Sequence, residues 1–213
     1  MNRAPLCILL ALVASGAATP AAAQAMLAEA DLASALSAGG LVIVVRHGAT
    51  NPDQADIDPL NVEKPGNEAK QRQLSDKGRA AARGWNEAFK KMGVPVGKVY
   101  SSKFHRAVET ARIGFGEPRT TFDVTEGGLV VSPNENSRRT AALRKLAATS
   151  PEAGTNSVIV THKPNIVDAF GRDWFDVKEG EASIFKPDGK GGFQVIGRVL
   201  SDQWTALATK YPR

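Results

Sequence analysis

The chain of 213 residues carries a single cysteine, Cys7, and only three histidines. The lone thiol lies inside an N-terminal stretch that reads as a secretory signal. The mature chain is therefore expected to hold no disulfide and no cysteine-based metal site. Cys7 also comes too early, with no small-residue stretch before it, to be a lipid attachment point. No apolar run reaches the roughly 20 residues that a membrane helix needs, so no membrane span is expected. There is no block of five or six like charges, which argues against a nucleic-acid partner. No internal repeat and no linker to a second domain stand out. What remains is 42% apolar and 23% charged, an ordinary globular composition with enough chain to bury a core.

Asn2 and Arg3 give a short positive start, Leu6 to Val13 is unbroken apolar, and small residues follow down to Ala21-Ala22-Ala23-Gln24-Ala25. That order predicts a signal peptide over residues 1–25, cut after Ala23 or Ala25, leaving residues 26–213 as one domain with a periplasmic destination. The bland reading, a buried N-terminal helix, suffers from an alanine-rich tail without a capping pattern. Losing Arg3 leaves 26 basic against 22 acidic side chains, a mild +4 balance that suits an anionic substrate and equally a solvated surface.

Strand-like and helix-like segments alternate along the chain. Glu29 to Ala38 reads as a short helix ended by Gly39-Gly40, and Leu41 to Val45 as a strand buried on both faces. Ala49 to Gln73 is polar, contains Pro52, Pro59 and Pro65, and is long enough to suggest a functional loop. Ser75 caps a helix with Trp85 and Phe89 inward, and Val99-Tyr100 is a second strand. Ser102 is expected to cap a helix running to Ile113. Thr120 to Val124 is expected as a third strand, and Glu135 to Ala148 as a basic amphipathic helix. Ser157 to Thr161 is another buried strand, followed by a helix with Pro164 in its first turn. Ala182 to Phe185 and Phe193 to Val199 form a hairpin around Gly189-Lys190-Gly191-Gly192, which is a turn and not a phosphate loop. The whole predicts an α/β fold, a three-layer α/β/α sandwich with a mostly parallel sheet and an antiparallel edge hairpin.

Two of the histidines, His47 and His162, directly follow the C-terminal ends of the two strongest strands, the edge where open α/β sheets bind ligands. One such residue would be unremarkable as a satisfied core histidine; two at equivalent places invite a joint role. Arg46-His47-Gly48-Ala49-Thr50 resembles the Arg-His-Gly signature of the histidine phosphatase superfamily, which includes the cofactor-dependent phosphoglycerate mutases. Ser101 to Ala111, with His105-Arg106-Ala107 at its centre, resembles that family's second motif, and Thr161-His162 its third. The similarity spans roughly residues 41 to 200 and implies a phosphoglycerate mutase-like fold, no cofactor and no metal, and a small phosphomonoester as partner.

The resemblance implies roles that the chemistry of these groups can sustain. Arg46 and Arg106 offer planar forks for bidentate phosphate contact. His47, neutral, would attack phosphorus and carry it as phosphohistidine. His162 would donate to the equatorial oxygens in the transition state. Thr50 and Asn51 follow the signature where substrate contacts are common in the family. Either arginine could instead be an ordinary ion-pair partner, and His105 reads as a rim or surface residue.

The pattern departs from the family at the general acid. Lys163 stands where one branch has an aspartate after the second histidine. Glu126-Gly127-Gly128 offers a glutamate without the tryptophan and second glutamate that accompany it in the other branch. Glu126 and Glu135 both remain candidates, with Glu135 preferred because it stands at a loop-to-helix junction; it also suits a plain helix N-terminus. Asp53, Asp56 and Asp58 lack the spacing of a calcium loop and read as a solvated acidic loop. The expected activity is metal-independent phosphomonoester hydrolysis. A phosphotransferase or mutase of the same family, or a catalytically weak phosphate-binding envelope protein, stand as alternatives.

Overall fold

A computed structural model describes residues 26–127 and 131–213. The expected signal peptide, residues 1–25, lies outside the described residues, as do Gly128 and residues 129–130. Among the described residues no helix is long and apolar enough to cross a membrane.

Six strands form one sheet: β1 (Val42–Arg46), β2 (Val96–Ser101), β3 (Arg119–Thr120), β4 (Asn156–Thr161), β5 (Ala182–Pro187) and β6 (Phe193–Val199), in the order β3-β2-β4-β1-β5-β6. The first four strands run parallel, while β5 and β6 form an antiparallel hairpin added beside β1. Among the described residues six α-helices cover it: α1 (Glu29–Ala38), α2 (Asp76–Lys91), α3 (His105–Gly114), α4 (Pro133–Ala147), α5 (Lys163–Phe170) and α6 (Gln203–Lys210). The mixed α/β sandwich expected from the alternation is what forms.

The strand period of two divides β1 between two cores. Ile43 and Val45 pack with Leu36, Trp85, Phe89, Ala107, Ala111 and Trp204, beneath α1, α2, α3 and α6. Val42 and Val44 pack with Leu143, Ala147, Ile166 and Phe185, beneath α4 and α5. Both faces of β1 are thus sealed, which is why its sequence is unbroken apolar and does not alternate. Each of the valine, leucine, isoleucine and phenylalanine side chains among them contributes roughly 1.5–3 kcal/mol by leaving water.

Three local expectations change. The third strand is confined to Arg119–Thr120, and Phe122–Val124 form a 3₁₀ turn opened by the Thr121 hydroxyl, which accepts from the Asp123 amide. The turn drops Val124 into the second core, where its carbonyl accepts from the Thr161 hydroxyl. Helix α3 begins at His105 and not at Ser102, because the Ser102 hydroxyl accepts from the Phe104 amide and faces His162 instead of capping. Helix α4 starts earlier than Glu135, with Pro133 in its first turn and the Ser132 hydroxyl accepting from the Glu135 amide. The 49–73 segment is a loop as expected. It contains two short 3₁₀ turns, at Pro59–Asn61 and Asn67–Lys70.

The start of α2 lies directly against the turn after β1. The Ser75 amide and hydroxyl both donate to the Ala49 carbonyl, and the same hydroxyl accepts from the Gly78 amide. A Cβ on Gly78 would stand 2.1 Å from the Ala49 carbonyl oxygen, so only glycine permits this approach. Replacing Gly78 by alanine should push α2 off the residue pair Gly48-Ala49 and cost about 2–3 kcal/mol of unfolding free energy. Gly84→Ala in the same helix meets nothing closer than 4.0 Å and should instead gain up to about 1 kcal/mol. Urea titrations of the two variants check the opposite signs.

Candidate active site

The parallel register of β1 and β4 pairs Val45 with Val160 and Arg46 with Thr161. One residue further on, the His47 amide donates to the Thr161 carbonyl, so His47 and His162 leave the sheet side by side. Their rings lie 5.1 Å apart, centroid to centroid, both buried. Strand β2 ends at the same level, and the Ser102 amide donates to the Val160 carbonyl. Three neighbouring strands therefore deliver His47, His162 and Ser102 to one spot at the C-terminal edge of the sheet.

His47 Nδ1 lies 2.9 Å from the Gly48 carbonyl oxygen. A carbonyl only accepts, so Nδ1 carries the proton and Nε2 holds the free lone pair. Burial, then the positive charges of Arg106, Arg46 and Arg72, push this imidazole down from 6.5 to about 3. It is neutral across the physiological range. His162 is pushed well below its ordinary value by burial, Arg106 and its imidazole neighbour. Its Nε2 lies 2.7 Å from the Ser102 hydroxyl, and its Nδ1 lies 3.3 Å from a Glu126 carboxylate oxygen.

Arg106, in the first turn of α3, has its guanidinium over the Phe104 ring at 4.3 Å, and that ring meets His162 edge-on at 5.4 Å. Only 1% of the arginine is exposed. Its two terminal nitrogens face carboxylates: Nη1 donates to Asp56 at 2.9 and 3.1 Å, and Nη2 to Glu126 at 3.3 Å. Arg46 sits at the margin, where Nη1 donates to the Val177 carbonyl and Nη2 lies 3.6 Å from Glu179. The Nε atoms of Arg46, Arg72 and Arg106 and Nδ1 of His162 are buried without a hydrogen-bond partner among the described residues. The three guanidinium Nε atoms are unsatisfied donors in a positively charged corner, which suits an anion carrying several acceptor oxygens.

His47, His162, Arg106 and Glu126 meet directly, with Arg46 beside them. Thr50 joins only through Glu179, to which its hydroxyl donates at 2.8 Å. Asn51 does not join; its side-chain amide turns to Gln54 within the loop. His105 faces Glu109 on its own helix at 3.9 Å.

The preference for Glu135 over Glu126 is corrected. The Glu135 carboxylate is claimed by Arg138 and Arg139, whose hydrogen bonds hold its pKa down to about 2, so it stays ionised. It acts at one remove. Arg139, which it orients, donates to the Thr125 and Glu126 carbonyls and fixes the backbone that carries Glu126.

Two further residues at the site had no signal in the sequence. Arg72 belongs to the long loop, and its charge helps depress both imidazoles. Asp56, expected in a solvated acidic loop, lies against Arg106. Neither sits in a periodic segment, so only the path of the loop brings them in.

The depressed imidazoles make stability depend on pH. Between pH 6.5 and about 3 the unfolded chain takes up a proton at residue 47 that the folded chain refuses, so stability falls as pH falls. His47 alone should cost about 2 kcal/mol on going from pH 7 to pH 5. Denaturant titrations at both values should show the loss, and His47→Gln should remove that share of it.

A sequence profile of the histidine phosphatase superfamily (branch 1) matches residues 42–129, a span that holds Arg46, His47, Arg106 and Glu126. A search of curated proteins finds no sequence match. Among solved structures, the protein histidine phosphatase SixA complexed with tungstate superimposes with a TM-score of 0.55 at 17% identity, over 76% of this chain and 98% of that one. A chain from Escherichia coli described as an alpha-ribazole-5'-P phosphatase gives a TM-score of 0.50 at 16% identity, over 75% of this chain and 100% of that one. Identities this low speak for a shared fold. Residues 42–129 thus resemble the histidine phosphatase superfamily (branch 1), the paired histidines and sheet topology agree with that likeness, and the chain shares the fold of these solved structures.

Proposed function

We propose that this protein is a phosphomonoester hydrolase that carries the phosphoryl group on His47. The observation that supports this most is the tautomer of that residue. Its Nδ1 proton is spent on the Gly48 carbonyl, and a neutral Nε2 lone pair stands beside His162 and Arg106 in a corner with unsatisfied donors.

The substrate phosphate would sit between the imidazoles, its oxygens taken by Arg106, Arg46 and His162. Nε2 of His47 attacks phosphorus, the P–N bond forms, and the P–O bond to the alcohol breaks. Glu126 gives the departing alkoxide its proton. Water then attacks the phosphohistidine and Glu126 takes one of its protons. The P–N bond breaks, inorganic phosphate leaves, and His47 regains its lone pair. Charge on the equatorial oxygens is met throughout by fixed guanidinium groups that need no reorganisation. The N-terminal run of residues 1–25 supports export, with a periplasmic site of action as part of the same proposal.

The test uses the mature chain with para-nitrophenyl phosphate, with and without chelator. Chelator-resistant turnover should appear and should fall by about a thousandfold or more in His47→Ala. A phosphate adduct should be found on the His47 peptide after an alkaline quench. Turnover that survives in His47→Ala overturns the proposal. Phosphate moving to a second metabolite in place of water would mark a transferase, and binding without turnover a phosphate-binding protein.

Arg106→Lys should lose about a hundredfold in kcat/KM, because one ammonium cannot replace a fork. Glu126→Gln should lose about a hundredfold on alkyl phosphates and far less on the nitrophenyl ester, whose leaving group needs no proton. Glu135→Gln should show no such dependence on the leaving group. Steady-state rates on the two ester classes check the contrast.

A further inference from the structure

The fork of Arg106 is already occupied. Asp56 presents both carboxylate oxygens to Nη1, at 2.9 and 3.1 Å, and Oδ1 also accepts from the Arg72 amide at 2.9 Å. This carboxylate takes a guanidinium nitrogen and a neighbouring backbone N–H, donors that the oxygens of a phosphate would also accept from. Substrate and Asp56 therefore compete for one cation.

We propose that Asp56 is a built-in stand-in for the substrate's phosphate, displaced when substrate enters, and that this exchange selects dianionic monoesters over monoanionic diesters. The proposal rests on the phosphatase reading of the site.

The surrounding loop is held without the Asp56–Arg106 contact. The Ile57 amide donates to the Lys70 carbonyl, and the Asn67 side chain donates to the Asp58 carbonyl. Gln71 donates to Asn67 and accepts from the His105 amide, which ties the loop to the start of α3. Rotation of the Asp56 side chain alone can clear the seat while this frame stays closed. Glu126 is a poorer candidate for the departing group, since it meets Arg106 through one oxygen at 3.3 Å and also faces His162.

The exchange has a sign. Pairing with Asp56 spares the buried Arg106 the cost of an uncompensated charge. An incoming dianion brings more charge to the arginines than the carboxylate it evicts and gains from the swap. A diester brings one charge, replaces one charge, and gains nothing.

Isothermal titration of the mature protein with inorganic phosphate, and separately with dimethyl phosphate, tests this. Asp56→Asn keeps an oxygen for the Arg72 amide but removes the competing charge. It should bind phosphate about tenfold more tightly than the wild type and should acquire measurable affinity for dimethyl phosphate. Circular dichroism and a thermal melt confirm that the variant is folded. Asp56→Ala, which lacks the oxygen, should move affinity in the same direction.

If folded variants bind phosphate no better than a wild type that does bind it, the stand-in is overturned while the phosphatase reading survives. If the wild type neither binds phosphate nor turns over an ester, both fall. If phosphate tightens but dimethyl phosphate stays unbound in Asp56→Asn, the selectivity half is overturned.

Discussion

The pairing of β1 with β4 is the contact on which the rest of the site depends. Parallel neighbours in a sheet run about 4.8 Å apart, and their in-register residues leave at the same height. Because Arg46 pairs with Thr161, the next residue on each strand is a histidine, and the two imidazoles are set within 5.1 Å of each other. No loop has to close and no hinge has to move to achieve this. Both strands are buried on both faces, so a slip of one residue would carry each row of side chains into the other core, where it does not fit, and is disfavoured. The hydrophobic core thereby fixes the spacing of the polar groups above it.

Electrostatics then decides what those groups can be. Two imidazoles beside three guanidinium groups, largely shielded from water, cannot all be charged, and the histidines give way because their protons are held least firmly. A neutral imidazole with one nitrogen spent on a carbonyl is a nucleophile; the same ring protonated would be none. Carboxylates offset the remaining positive charge from one side, Asp56 and Glu126 on Arg106 and Glu179 near Arg46. The site holds its own counterions, and an anionic substrate must be worth more to the arginines than the carboxylates already there.

The groups behind the histidines and arginines are held by ordinary packing. Phe104 supports Arg106 with its face and His162 with its edge, and Gly78 lets α2 press on the Gly48-Ala49 backbone. The Gly48 amide donates to the Thr110 hydroxyl, which in turn donates to the Arg106 carbonyl. The first motif is thus tied to the second through α3. Glu135 belongs to the same layer, acting through Arg139 on the carbonyls around Glu126.

Continuous apolar runs at Leu41 to Val45 and Ser157 to Thr161, each ending in a polar turn, were enough to place two buried parallel strands with a histidine after each. The same local signals marked the hairpin and the cap at Ser75, because period, turn chemistry and capping act within a few residues. The neighbours of a side chain are different. Ser102 had the signature of a helix cap and became a partner of His162, since a strand end and an imidazole lay closer than the helix did. Between Glu126 and Glu135 the sequence favoured Glu135 for its loop-to-helix junction, and the preference reverses because two arginines fold onto that carboxylate. Asp56 and Arg72 lie in a loop without periodicity, and the path of that loop is set by contacts such as Gln71 with His105, made between residues distant in the chain. Sequence alone determined the frame and the two histidines at its edge. Tertiary structure decided which charges surround them, because an ion pair is settled by distances between segments that no local pattern encodes.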